Sequence, residues 1–309
     1  MLHALQIRRR CYDIYSMTAA VDTARKAPLR WEEAACLGAL LIAAYAPVLV
    51  FLGRQWYNDP DMGHGFFVPL VSGYIVWQRR DQLAALDWRP DWRGFLLMIY
   101  GAVQFLIGAL GAELFLTRTA FLISLIGAVW MFCGATVLKK LAFPLFLLFF
   151  MAPIPAIIYN RITFPLQLLA SRLAENALSA LQIPVIREGN VLELADQKLS
   201  VVEACSGIRS LLSLTFLSMV YGYFFEKKNW ARIGLFLSTI PIAIVANASR
   251  VTLTGVLSEE VNPELGEGFF HTASGWVIFM IALAILICLH QVLTLAWGRV
   301  EARTYRWTS

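Results

Sequence analysis

"AACLGALLIAAYAPVLVFL", residues 34–52, runs for nineteen positions without a charge. A helix of that length rises about 28 Å, close to the roughly 30 Å hydrocarbon core of a bilayer. The stretch has no convincing small-residue cleavage site before the next polar segment, so it reads as a retained helix and not as a signal peptide. Similar runs follow at about 65–78, 94–112, 119–138, 141–158, 206–225, 232–250 and 273–296. Together they predict an all-α polytopic membrane protein with about eight transmembrane helices.

Composition agrees with lipid as the main solvent. The 309 residues are 59% hydrophobic and 15% charged, against about a quarter charged in soluble proteins, and the mean hydropathy is +0.63. The net charge of +5 is scattered in short clusters between apolar runs. That is a topology signal, and it does not suggest a nucleic-acid surface. The N-terminus, "QRRDQLAALDWRPDWR", Lys139 and Lys140, "EKKNWAR" and "GRVEARTYR" are the basic segments. The positive-inside rule then places both termini in the cytoplasm. Tails at 1–30 and 298–309 flank a transmembrane domain at 31–297. Cys11, Cys36, Cys133, Cys205 and Cys288 are odd in number and share no metal-like spacing, so no disulfide framework, metal or cofactor is expected.

The segments left on the extracytoplasmic side should carry the site. "FPLQLLASRLAENALSAL" (164–181) repeats its apolar residues at helical period around polar ones and predicts a small helix at the interface. "PVIREGNVLELADQKLSVVEA" (184–204) alternates apolar and polar residues between turn signals, which predicts a β-hairpin leading into Cys205.

Cys205 opens the sixth apolar run, Arg250 closes the seventh and His271 precedes the eighth, so all three fall near one depth. Arg250 is 18 residues beyond Arg232, about 27 Å along a helix. His290 is 19 residues beyond His271, too deep to join the same group, and reads as a packed or inner-interface residue. A thiol, an imidazole and a guanidinium suit acyl transfer. The thiolate attacks a carbonyl, histidine activates the thiol or protonates the leaving amine, and arginine donates to the oxyanion. Gly207 would let a substrate backbone approach, Asn247 shares the Arg250 face, and Arg209 shares the Cys205 face. Alone, each of the three has a structural explanation: a filler cysteine, an interface-anchoring arginine, an interfacial histidine. Cys36, Cys133 and Cys288 keep the filler reading.

The blocks "ACSGIRSLL" (204–212), "ANASRVTLTG" (246–255) and "GFFHTASGWVIF" (268–279), in that order, resemble the cysteine, arginine and histidine blocks of the exosortase/archaeosortase family of membrane cysteine transpeptidases. "GHGFFVPLVSGYIVWQRR" (63–80) is similar to that family's early motif. The resemblance runs from about Trp31 to about Thr294. It implies a bacterial inner-membrane enzyme with an extracytoplasmic active site. Its partners would be exported proteins bearing a C-terminal sorting signal of the Pro-Glu-Pro type with a transmembrane helix, and an unidentified acceptor, in systems linked to exopolysaccharide and biofilm. It assigns Cys205 as nucleophile, Arg250 as oxyanion or substrate clamp and His271 as acid/base. His64 is a candidate substrate-binding or supporting residue, or a structural residue of a turn between Gly63 and Gly65. A membrane acyltransferase and a non-enzymatic polysaccharide-export subunit are the alternatives. The second would call for ionisable residues midway along several spans, whereas here charges gather near span ends.

Overall fold

The computed structural model describes residues 31–195, 198–200, 207–260 and 268–306, with side chains for 36–59, 62–195, 198–199, 210–259 and 273–295. The chain divides into two compact units, Met1–Asn58 with Gly65–Pro153, and Asp59–His64 with Ile154–Ser309.

In the first unit, α1 (Trp31–Ala44) and α2 (Ala46–Asn58) occupy the first apolar run but meet at 71°. The break falls at Tyr45, just ahead of Pro47, whose ring suits a first helical turn. The Tyr45 hydroxyl and Ser124 Oγ share a 2.8 Å hydrogen bond, and the ring sits edge-on to Phe105 and Phe121. A 3₁₀ stretch, Pro60–Phe66, leads to α3 (Phe67–Gln78) and the short α4 (Arg80–Ala84).

Helices α5 (Arg93–Leu110) and α6 (Leu114–Leu147) form the tightest pair. Gly94, Gly101 and Gly108 recur every seven residues and so share one face of α5. A Cβ at Gly94 would collide with the backbone of Met131 and Gly127, and one at Gly101 with Ser124 and the Ala120 carbonyl. In return, a Cβ at Gly127 would lie 2.8 Å from the Met98 amide nitrogen. Lipid tails are as apolar as leucine, so helices associate in a membrane through such close backbone packing. Gln104 Nε2 seals the pair, donating to the Leu116 carbonyl and to Thr119 Oγ1.

The runs at 119–138 and 141–158 are not two spans joined by a loop at Lys139 and Lys140. Helix α6 passes through both lysines, and its break is at Gly134 (φ 81°, ψ 172°), followed by a 3₁₀ turn at Leu148–Met151. Glycine is required there because φ is positive and the Arg89 carbonyl lies against its Cα.

The second unit holds α7 (Ala156–Ala180), a three-stranded antiparallel sheet (β1 Ile186–Glu188, β2 Val191–Glu193, β3 Lys198–Ser200, in that order), α8 (Gly207–Phe225), α9 (Asn229–Glu260) and α10 (Gly268–Arg306). The expected hairpin is present, turning at Gly189 (φ 66°), and β3 adds a third strand in which Leu199 opposes Leu192. The predicted interfacial helix is the C-terminal part of the longer α7.

The architecture is thus an all-α polytopic membrane fold with a small sheet. Among the described residues, four helices are long and apolar enough to cross a bilayer, or five if the α1–α2 pair is one bent span. The expected eight spans included α3, with 12 residues, and α8, whose described apolar part is Ser210–Phe225.

Further along α10, His290 is buried and bonded on both ring nitrogens. Nδ1 is 3.0 Å from the Tyr221 hydroxyl, and Nε2 is 3.2 Å from Glu226 Oε2. The other Glu226 oxygen accepts from the amides of Lys227 and Lys228, while Arg232 donates to the Glu226 carbonyl. The Lys228 amide, followed by His290 and the Lys227 amide, holds the Glu226 carboxyl below its ordinary range despite burial.

Two stability predictions follow from these contacts. Gly94→Ala should lower thermal stability in detergent, at a cost on the order of 1–3 kcal/mol for overpacking. Gly53→Ala, which would meet nothing within 4 Å, should not; equal shifts would refute the close-packing account. A carboxyl with a depressed pKa stabilises the fold fully above its unfolded value, and that contribution fades as pH falls through the lowered one. Glu226→Gln should therefore melt below the wild type at pH 7, with the gap closing through the acidic carboxylate range. A gap independent of pH would show that Glu226 acts by shape alone.

Candidate active site

Three helices of the second unit converge on a crevice. Its lining comes from α8 (Ser210, Leu214), α9 (Ala243, Ala246, Asn247, Arg250) and α10 (Gly275, Ile278, Phe279, Ala282). On α9 the positions run i, i+3, i+4 and i+7, and on α10 they run i, i+3, i+4 and i+7 again, so one continuous stripe of each helix faces inward. His271 lies one turn before Gly275 and belongs by period to the same stripe. Below the crevice, Leu214, Leu235, Ala243, Ala282 and Leu286 close the three helices into one apolar cluster.

Arg250 is the polar centre. Its side chain is 8% exposed, so the guanidinium has left bulk water for the helix interface. It reaches α10 at Gly275, where a Cβ would lie 3.0 Å from Nη2, 3.1 Å from Cζ and 3.4 Å from Nη1. Asn247, one turn earlier, is half-buried on the same wall. The expectation that Arg250 closes its helix needs correction, because α9 continues ten residues further, to Glu260. The helix persists because its next turns pack on a second core. There Val251 joins Ala174 and Leu178 of α7 with Ile183, Leu192, Leu194 and Leu199 of the sheet region, and Gly255 lies against Leu178.

The sheet therefore braces the α9 turn that carries Arg250. Its last strand, β3, ends at Ser200, five residues before Cys205, and α8 begins at Gly207, two residues after it. Cys205 itself lies outside the described residues. The structure describes the backbone of Gly207 and Arg209 in the first turn of α8, and of His271 in the first turn of α10.

The structure thus brings together Arg250, Asn247 and the helical stripe containing His271. His64 sits half-buried in the 3₁₀ stretch Pro60–Phe66 and is not among the residues lining the crevice. Its neighbour Gly65 has a structural reason, since a Cβ there would meet the Trp56 ring at 2.5 Å. Two lining residues, Ser210 and Gly275, were not singled out from the sequence. Gly275 could have been found as the residue one turn after His271 on its face. Ser210 carries no comparable signal.

Chemically, the arrangement is a buried guanidinium beside an amide and a hydroxyl. A guanidinium in such a place can hold a carbonyl oxygen on which charge develops, or a carboxylate. The crevice volume is about 10 Å³, enough for about one water. Among the described residues, no group of three His, Cys, Asp or Glu could hold a metal ion.

Residues 56–288 match the transmembrane exosortase (Exosortase_EpsH) family. No curated protein and no solved structure matches the chain.

The brace can be tested directly. Leu192, fully buried in the sheet core, should cost about 2–5 kcal/mol on truncation to alanine and lower the melting temperature in detergent. Ile186, 65% exposed on β1, should tolerate the same change. Equal shifts would mean that the sheet does not support α9.

Proposed function

This chain belongs to the transmembrane exosortase family, and from that premise we propose that it is a cysteine peptidase/transpeptidase of the bacterial inner membrane. It would cleave C-terminal sorting signals of exported proteins at the extracytoplasmic face. The observation that carries the reading is the buried Arg250 guanidinium, held against the α10 stripe one turn from His271 and on the wall facing α8, just downstream of Cys205.

In this reading the Cys205 thiolate attacks the scissile carbonyl carbon, favoured by its place just ahead of the α8 N-terminus. Electrons move onto the carbonyl oxygen, which Arg250 holds while Asn247 supports it. As the tetrahedral species collapses, the C–N bond breaks and the leaving amine takes a proton from His271, leaving a thioacyl-enzyme. An acceptor amine or hydroxyl then gives its proton to His271 and attacks the thioester, and the thiolate departs. Arg209, in the first turn of α8, adds positive potential for an acidic sorting motif. Both termini lie in the cytoplasm, and the link to exopolysaccharide and biofilm systems belongs to the same proposal.

The deciding experiment co-expresses the protein with a tagged substrate ending in a Pro-Glu-Pro-type signal, a transmembrane helix and a basic tail, and follows its size by immunoblot. The wild type should yield a shorter product and Cys205→Ala none. Arg250→Lys keeps the charge but loses the planar fork, and should slow processing by about 10²-fold or more, the usual effect of removing an oxyanion donor. Normal processing by Cys205→Ala would overturn the nucleophile assignment.

A further inference from the structure

Glycine in the interior of a helix costs about 1 kcal/mol relative to alanine, so Gly275 on α10 calls for a reason. At Gly94 and Gly127 the reason is another helix, since its backbone atoms lie nearest to the place a Cβ would take. At Gly275 all three nearest atoms belong to the Arg250 guanidinium, at 3.0, 3.1 and 3.4 Å. The missing methyl therefore makes room for one functional group and leaves the helix spacing alone.

We propose that Gly275 is a positioning residue for Arg250: the bare Cα sets how far the guanidinium reaches across to the His271 stripe of α10. The inference rests on the catalytic reading of Arg250 given above. A methyl at 275 would sit closer to the guanidinium than ordinary van der Waals contact allows. The obstructing atoms are the far end of a flexible side chain, so the fold can yield where the α5–α6 pair cannot. The guanidinium shifts by a few tenths of an ångström, away from α10. Displacements of that scale matter where hydrogen-bond donors must meet a developing oxyanion. Gly275→Ala should therefore separate activity from stability.

The test has two arms. In the first, processing of the tagged Pro-Glu-Pro-type substrate is timed by pulse-chase for wild type and Gly275→Ala, with melting of the full chain in detergent alongside. The expected result is processing slowed about tenfold or more, with expression level and melting temperature close to the wild type. The second arm needs no substrate. Gly275→Val should lower the melting temperature in the wild-type background, and should lower it much less in Arg250→Ala, where the guanidinium no longer fills the space. Equal shifts in the two backgrounds would overturn the inference whether or not processing is observed. Wild-type processing by Gly275→Ala would overturn it as well. If the wild type processes no substrate while the melting shifts are coupled, the contact stands and the failure belongs to the sorting-signal reading.

Discussion

Taking a guanidinium out of water costs several kcal/mol unless the surroundings replace what is lost, and in the second unit Arg250 is such a buried guanidinium. The residue is 8% exposed, and most of the lining around it is apolar, Ala243, Ala246, Phe279 and Ala282 among it. Small residues on α9 and α10 let the helices close beneath it, and Asn247 and Ser210 give the crevice its other polar groups. The helix carrying Arg250 is braced from behind. Val251, the next residue, is fully buried against α7 and the sheet, so the turn is gripped by an apolar core on one side while its charge faces the crevice on the other. A long flexible side chain gains a defined position only when its own backbone is held in this way.

Glycine serves two purposes in the structure, and the neighbouring atoms show which is which. Between α5 and α6 it lets two helices approach closely, the usual means of joining helices in lipid. At Gly275, as at Gly65, the space is taken by another residue's side chain. In the proposed reading, the side chain at Gly275 is the one that does the chemistry. Further along α10, Tyr221, His290 and Glu226 provide polar bonding of a third kind, tying α10 to α8 and to the residues that follow α8.

Much of this is legible in the sequence because helical period survives without coordinates. Asn247 and Arg250 share a face by spacing alone, and so do His271, Gly275, Ile278 and Phe279. The alternation in 184–204 announces strands. The legible part stops where structure depends on residues distant in the chain. Lys139 and Lys140 look like a loop, yet the backbone breaks at Gly134, where the Arg89 carbonyl approaches from 45 residues away. The apolar run ends at Arg250, but α9 continues because the sheet and α7 cover its next turns. The contact between Arg250 and Gly275 joins positions 25 apart on two helices, and no local pattern encodes it.

The size of the crevice constrains where chemistry can occur. A space of about 10 Å³ holds about one water, and Leu214, Leu235, Ala243, Ala282 and Leu286 close it from below. Of its lining, Ser210 lies near the start of α8 and Gly275 near the start of α10, the helices that follow Cys205 and hold His271. In the proposed reading, a substrate carbonyl at that end would meet the starts of two helices, whose partial positive charge favours a thiolate and an oxyanion alike, with Arg250 as the charged side chain among the described residues that line the crevice. The apolar floor and the buried guanidinium above it suit, in the proposed reading, a site that grips a backbone carbonyl. They do not suit a path through the membrane, which would need ionisable groups continuing down the helices where the apolar cluster stands.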